Sequence, residues 1–208
     1  MTLTRAGRTV NRWRRHRVAV PRLARALPEL TSFSEHLASQ GVASSSRLVS
    51  WEALSDARDG KDGALASPDA PNPRLFGSIH ADLARIVRLR LANASPVGLH
   101  TTLVPLDIAD AIGFTAERLR DDEGLSLYRE LERAGYALST AEEHLHARLV
   151  TRAEARLLGV PPRAAALSVL RLSREPGGRL LEAVRAVYLG DKYDYVITLE
   201  RTRPERRH

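Results

Sequence analysis

The sequence predicts an α+β fold, an antiparallel sheet with helices packed against it. Three observations carry this expectation. Two turn signals, Asn93-Ala94-Ser95-Pro96 and Glu175-Pro176-Gly177-Gly178, each separate two apolar runs of strand length and so mark hairpins. Capping-box spacing occurs at Ser32 and Glu35 and again at Thr151 and Glu154, each at the start of a helical stretch. Near the end, Tyr193, Tyr195, Ile197 and Leu199 alternate, which puts them on one face of a last strand.

Taken in order, the first helix starts at Ser32, with Phe33 and Leu37 four apart on its apolar face and Gly41 placed to end it. Val42 to Leu54 reads as a strand. Residues 57–74 are polar and rich in Gly and Pro, a loop or mobile insertion. Ala84 to Leu91 and Val97 to Val104 are the arms of the first hairpin, and Pro105 to Ile112 is a short helix or turn. Leu125 to Ala134 is a helix closed by Gly135, and Tyr136 to Leu149 a strand. The helix opened by Thr151 stops at Gly159-Val160-Pro161-Pro162. Ala166 to Arg174 and Leu180 to Leu189 form the second hairpin.

Charge is unevenly placed. Of 32 cationic residues only Lys61 and Lys192 are lysines, and residues 1–28 hold eight Arg and no acid. With the tail 201–208 also set aside, the formal charge falls from +7 for the whole chain to −4 for residues 29–200. The globular part is therefore mildly acidic, and the high pI is no argument for a nucleic-acid-binding core. Residues 1–28 read as a basic, solvated arm, with phosphate contact as the alternative. There is no Cys, which removes disulfides and thiolate metal sites, and the His spacings give no metal set. No cofactor is expected. The sequence has no apolar run near the roughly 20 residues of a membrane span and no secretory h-region, so a cytoplasmic protein without membrane contact is expected.

Several residues are placed for binding. Arg88 and Arg90, two apart on a strand, share a face, and two guanidinium forks there suit a phosphate or carboxylate. A solvated edge strand, or ion pairs with the acidic core, is the plain alternative. Ser126 and Tyr128 open a helix, as Ser34 does earlier. Each is either an anion contact near free backbone amides or merely a cap and a packed ring. Glu182 and Tyr188 lie six apart on one strand face and suit sugar hydroxyls or an amine. Glu182 paired with Arg185 or Arg171, with Tyr188 packed on the sheet, is equally open.

In order and spacing, five stretches resemble the UTRA family, the effector-binding domain of HutC-type GntR transcription regulators. They are Leu30 to Glu35, Arg88-Leu89-Arg90 before the turn and Pro96, Leu103-Val104-Pro105, Ser126-Leu127-Tyr128, and Glu182 to Tyr188 followed by Gly190-Asp191-Lys192-Tyr193. The step Leu158-Gly159-Val160-Pro161 fits as well, and coverage runs over residues 29–200. The resemblance implies a chorismate-lyase-like sheet flanked by helices, a homodimer, and binding of a small anionic metabolite such as a sugar phosphate or carboxylate. It also implies that binding controls DNA affinity rather than catalysing a reaction. By the same resemblance, Arg88, Arg90, Ser34, Ser126 and Tyr128 hold a phosphate. His100 departs from the pattern, since many members carry Glu at that place, facing the ligand.

The winged-helix domain that precedes UTRA in full-length members has no counterpart in the apolar spacing of residues 1–28. DNA contact is thus expected only through such a domain, or weakly through the arginine-rich arm. A chorismate-lyase-like enzyme on the same fold, and a stand-alone sensor without DNA binding, are the competing readings.

Overall fold

The computed structural model describes residues 22–27, 30–54, 71–76 and 82–199. Residues 1–21, most of the expected loop at 57–74 and the tail 201–208 lie outside them. Strands and helices follow in the order β1 (Leu23–Leu27), α1 (Phe33–Ser39), β2 (Ser44–Leu54), β3 (Leu83–Ala92), β4 (Ser95–Pro105), α2 (Leu106–Ala111), α3 (Ala116–Asp121), α4 (Leu127–Arg133), β5 (Thr140–Leu149), α5 (Arg152–Leu158), β6 (Ala165–Arg174), β7 (Leu180–Leu189) and β8 (Tyr193–Ile197). A 3-10 turn, Pro73–Phe76, closes what the sequence suggests is a loop. The class is α+β.

Six strands form one antiparallel sheet in the order β2-β3-β4-β7-β6-β5. Both expected hairpins form, β3 with β4 and β6 with β7, and they join in the middle through β4 and β7. The first turns on Asn93 and Ala94, whose φ of 46° and 63° are those of a two-residue hairpin loop, so Ser95 and Pro96 already belong to β4. The second closes at Glu175 to Gly178, where the Gly178 N–H donates to the Glu175 carbonyl at 2.9 Å. Both capping boxes are present: Ser32 and Thr151 accept from the backbone N–H of Glu35 and Glu154, whose carboxylates accept from the cap N–H in return.

Two parts differ from the sequence expectation. Leu23–Leu27, counted with the basic arm, is a strand that pairs in parallel with β8 in a separate two-stranded sheet, Leu23 opposite Tyr193 and Arg25 opposite Tyr195. The alternation is hidden because one of its two inward positions is an arginine: Leu23 and Arg25 are both buried. The unassigned stretch before the acidic loop is α3, capped by the Thr115 hydroxyl and only six residues long, too short to show a helical period.

Paired residues of an antiparallel sheet share a face, so the register sorts the side chains. Val87, Leu89, Leu99, Val187 and Leu189 face α5 and pack with Ala155 and Leu158. On the opposite face, Ala84 and Ile86 pack with the α2 to α4 helices around Phe114 and Leu131. Val169, Ala186 and Tyr188 on that same face pack with Leu23, Phe33, Leu37 and Tyr193. Each fully buried Leu or Ile contributes about 1.5–3 kcal/mol, so the two apolar clusters fix the roof over this face firmly at both ends. Between them lies a polar cavity.

Candidate functional site

The cavity floor is a set of strand rows. Arg88 of β3 stands opposite His100 of β4, which stands opposite Ala186 of β7, itself opposite Val169 of β6. One row over, Thr102, Val184 and Arg171 line up; on the other side Gly98 faces Tyr188. The roof comes from α1 with Ser34 and Phe33, from Ser126 to Tyr128 at the start of α4, and from β1 and β8 with Arg25 and Tyr195. The cleft has an empty volume of about 540 Å³, which includes open solvent at its mouth.

All eight residues singled out in the sequence, Ser34, Arg88, Arg90, His100, Ser126, Tyr128, Glu182 and Tyr188, line this one cavity. The plain alternative for the arginines, a solvated edge strand, is excluded: β3 is an interior strand, and Arg88 and Arg90 are only 2% and 7% exposed. Arg25 and Arg171, also lining the cavity and buried, were not anticipated as site residues. A signal existed for Arg171, which shares a strand parity with Val169 and Ser173. For Arg25 there was none, because it lies inside an arginine-rich run.

Each arginine is held differently. Arg88 donates from Nη1 to the Leu125 carbonyl at 3.0 Å and lies over the Phe114 ring at 5.1 Å, while its Nε has no partner. No carboxylate forms an ion pair with it among the described residues. Burial, and then the neighbouring Arg90 charge, push its pKa well below the ordinary guanidinium value. Arg90 donates from Nε to His100 Nδ1 at 3.1 Å and from Nη1 to the Ser46 hydroxyl at 2.6 Å, with Phe33 beneath it. Burial brings its pKa down to about 10.

That geometry fixes the state of His100. An arginine only donates, so His100 Nδ1 accepts, the ring proton sits on Nε2, and Nε2 donates to the Tyr188 hydroxyl at 2.9 Å. Burial first, then Arg90, Arg88, Arg171 and Arg25, hold the imidazole neutral, its pKa far below 6.5. Tyr188 lies flat on Tyr193, with ring centroids 3.9 Å apart. It also lies over Gly98, where a Cβ would come within 2.7 Å of the ring and 3.0 Å of the Val187 carbonyl. Glycine at 98 is what lets the tyrosine lie against the sheet.

At the other end, Glu182 Oε1 accepts from the Tyr128 hydroxyl at 3.2 Å and from Ser173 at 3.0 Å, so its hydrogen bonds go to hydroxyls and not to Arg185 or Arg171. Arg171 instead donates from Nε to Glu143 Oε1 at 2.6 Å and from Nη1 to the Thr31 carbonyl and the Tyr128 hydroxyl at 3.0 and 3.2 Å. Burial, followed by the Glu182 charge, raises the Tyr128 hydroxyl well above its usual pKa. Ser126 is the N-cap of α4 by its backbone, yet its hydroxyl makes no capping bond, and Ser34 is half-buried in the first turn of α1. His144, outside the cavity on β5, is exposed and lies 2.7 Å from Glu142.

The arrangement is a polar, net-cationic cleft with donors from four arginines and hydroxyls from Ser34, Ser126, Tyr128 and Tyr188. Comparison with known proteins agrees in fold and type. The HTH-type transcriptional repressor NagR of Bacillus subtilis (strain 168) is 29% identical over 185 residues, 88% of this chain and 69% of NagR. Among solved structures, PhnF from Mycobacterium smegmatis matches with a TM-score of 0.70 at 23% identity, over 88% of this chain and 73% of PhnF. The ligand-binding domain of a Bordetella bronchiseptica protein classed with the GntR-family transcriptional regulators matches with a TM-score of 0.62 at 26% identity, over 76% and 90%. The family model described as UTRA domain matches residues 69–194, more than half of the sequence, and the chain belongs to that family.

Proposed function

We propose that residues 29–200 are the effector-sensing domain of a GntR/HutC-type transcription regulator, binding a small phosphate- or carboxylate-bearing metabolite whose occupancy controls DNA binding. The single observation that carries this reading is Arg88: a guanidinium 2% exposed, with an unpartnered Nε and no ion pair among the described residues. An unpaired buried charge costs several kcal/mol of solvation. An anion entering the cavity would offset that cost, and its charge-assisted hydrogen bonds are strongest at such a place. Ser126 and Ser34 supply hydroxyls beside it.

A regulator fits better than an enzyme. General acid–base chemistry wants a group poised near neutral pH. Here His100 is moved far down from it, and Tyr128 and Tyr188 are moved up. The domain is read as a homodimer that acts on DNA through a winged-helix domain, as the family resemblance implies.

The test is thermal-shift screening against phosphosugars and carboxylates, since a ligand that binds only the folded state raises the melting temperature by mass action. An anionic hit should raise it, and Arg88→Ala should abolish that rise. An unchanged response in Arg88→Ala removes Arg88 from the site. Release of pyruvate from chorismate would show the enzyme reading to be right instead.

A further inference from the structure

We propose that the cavity has a second acid-binding subsite, built on Arg25, and that its ligand carries two separate negatively charged groups. The inference rests on the sensor reading above and concerns the end of the cavity away from Arg88.

The side chain of Arg25 is 3% exposed, yet it is poorly paired. Its polar contacts include the Thr31 carbonyl at 3.4 Å and Glu143 Oε1 at 3.5 Å, both at the outer limit, with the Tyr193 hydroxyl close by, and its Nε has no partner. The charge of Glu143 is already engaged by Arg171, whose Nε lies 2.6 Å from the same Oε1. Arg25 does not take the second oxygen either, although Oε2 of Glu143 is itself buried without a partner. Two arginines thus share one carboxylate at this end, and the cation left over lines the cavity. Tyr195, with its ring 6.0 Å from the guanidinium carbon, closes the outer side.

The two cationic ends stand apart. Arg88 and Arg90 are on β3 and Arg171 is on β6, three strand spacings away in the sheet order, or about 14 Å between backbones. His100, neutral, and Glu182, bonded to hydroxyls, lie between them. A compact anion held by Arg88 sits over β3, whereas the Arg25 guanidinium, from the roof strand β1, lies at Thr31 and Glu143 beside Arg171 of β6, so a second acidic group is needed to answer it. A phosphorylated carboxylic acid or a dicarboxylate of a few carbons satisfies both, with its middle hydroxyls against the His100, Tyr188 and Glu182 groups.

The experiment is titration calorimetry of the full chain with matched probes: glycerol 3-phosphate against 3-phosphoglycerate, and glucitol 6-phosphate against 6-phosphogluconate. Each pair differs only by CH2OH or a carboxylate at the end away from phosphate. The wild type should bind the doubly acidic member of at least one pair about tenfold tighter or more, the scale of one charge-assisted contact. Arg25→Gln should bring the two members within about twofold by weakening chiefly the doubly acidic one. Arg25→Lys, which keeps the charge and loses the fork, should retain part of the preference, and it serves if Arg25→Gln does not fold. Equal affinity for both members in the wild type overturns the second subsite. So does equal weakening of both by Arg25→Gln, which would make Arg25 a support for the roof. Arg88→Gln should weaken both members alike. If it weakens neither, the anion reading at Arg88 fails while the preference lost in Arg25→Gln still stands. No heat from any probe, inorganic phosphate included, overturns both.

Discussion

Arg148, half-buried, and Arg88, buried, both stand on this sheet, and they are treated in opposite ways. Arg148, at the end of β5, meets the carboxylate of Glu154 with two hydrogen bonds, at 2.8 and 2.6 Å, and donates to the Leu149 carbonyl at 2.9 Å. Glu154 is at the same time the return arm of the capping box that starts α5. Arg88 has one carbonyl, an aromatic ring and an unpartnered Nε. In the first the charge meets its counter-ion within the chain and ties a helix to a strand. The second has no carboxylate partner among the described residues, the opening that the proposed anion would fill. A buried charge with its counter-ion marks architecture; one without marks a place to bind.

The contrast is open to measurement. Glu154→Ala leaves the half-buried Arg148 without its carboxylate and removes half of the capping box, so urea unfolding should show a loss of about 3 kcal/mol. A loss below about 1 kcal/mol would mean that the Arg148 pair is no more than a surface contact. The next test is pH. Burial first, then Arg25 and Arg171, hold His36 down at about 4, and His100 lies far below 6.5 for the same kind of reason. Both bind their protons more readily when unfolded, so their contribution to stability is complete above pH 6.5 and is lost as pH falls toward 4. Melting temperature should therefore decline through that window, less steeply in His100→Gln, while a flat profile would contradict the neutral, buried imidazoles.

Arg88→Met should act in the opposite direction to Glu154→Ala. It replaces an uncompensated charge by an apolar side chain, so the ligand-free protein should become about 1 kcal/mol more stable and lose its response to anions. The smallest effects separate two caps. Thr151 accepts from the Glu154 N–H, and Thr151→Ala should cost about 1 kcal/mol. The Ser126 hydroxyl makes no such bond. Ser126→Ala should stay within a few tenths of a kcal/mol of the parent in denaturation and show itself only in weaker anion binding.

Much of the fold was legible because its punctuation is local. Ser32 with Glu35 and Thr151 with Glu154 announce α1 and α5, and the two turn signals announce the hairpins that make up four of the six sheet strands. Strand parity was enough to put Arg88 with Arg90, and Glu182 with Tyr188, on one face of their own strands, since side chains alternate with a period of two. What stayed hidden depends on distant partners. Arg25 sits opposite Tyr195 across a parallel pairing of β1 with β8 that no local pattern encodes, and an arginine among arginines reads as solvated. That Arg171 pairs with Glu143, and that Glu182 is left to Tyr128 and Ser173, follows from the lateral order of β5, β6 and β7 rather than from spacing along any one of them.

The parallel ribbon of β1 and β8 has a mechanical consequence. A force on the chain before Leu23 draws β1 backward along its axis, and a force on the chain after Ile197 draws β8 forward. With the strands parallel, these pulls load all five residue pairs of the ribbon in shear at once, instead of peeling them one by one from an end. The ribbon is thus stiff toward traction from either side and passes displacement on whole, with Arg25 and Tyr195 carried at its middle pair over the cavity. Whatever settles beneath that pair works against the shaft of a lever, and tension on the shaft is felt at the cavity in return.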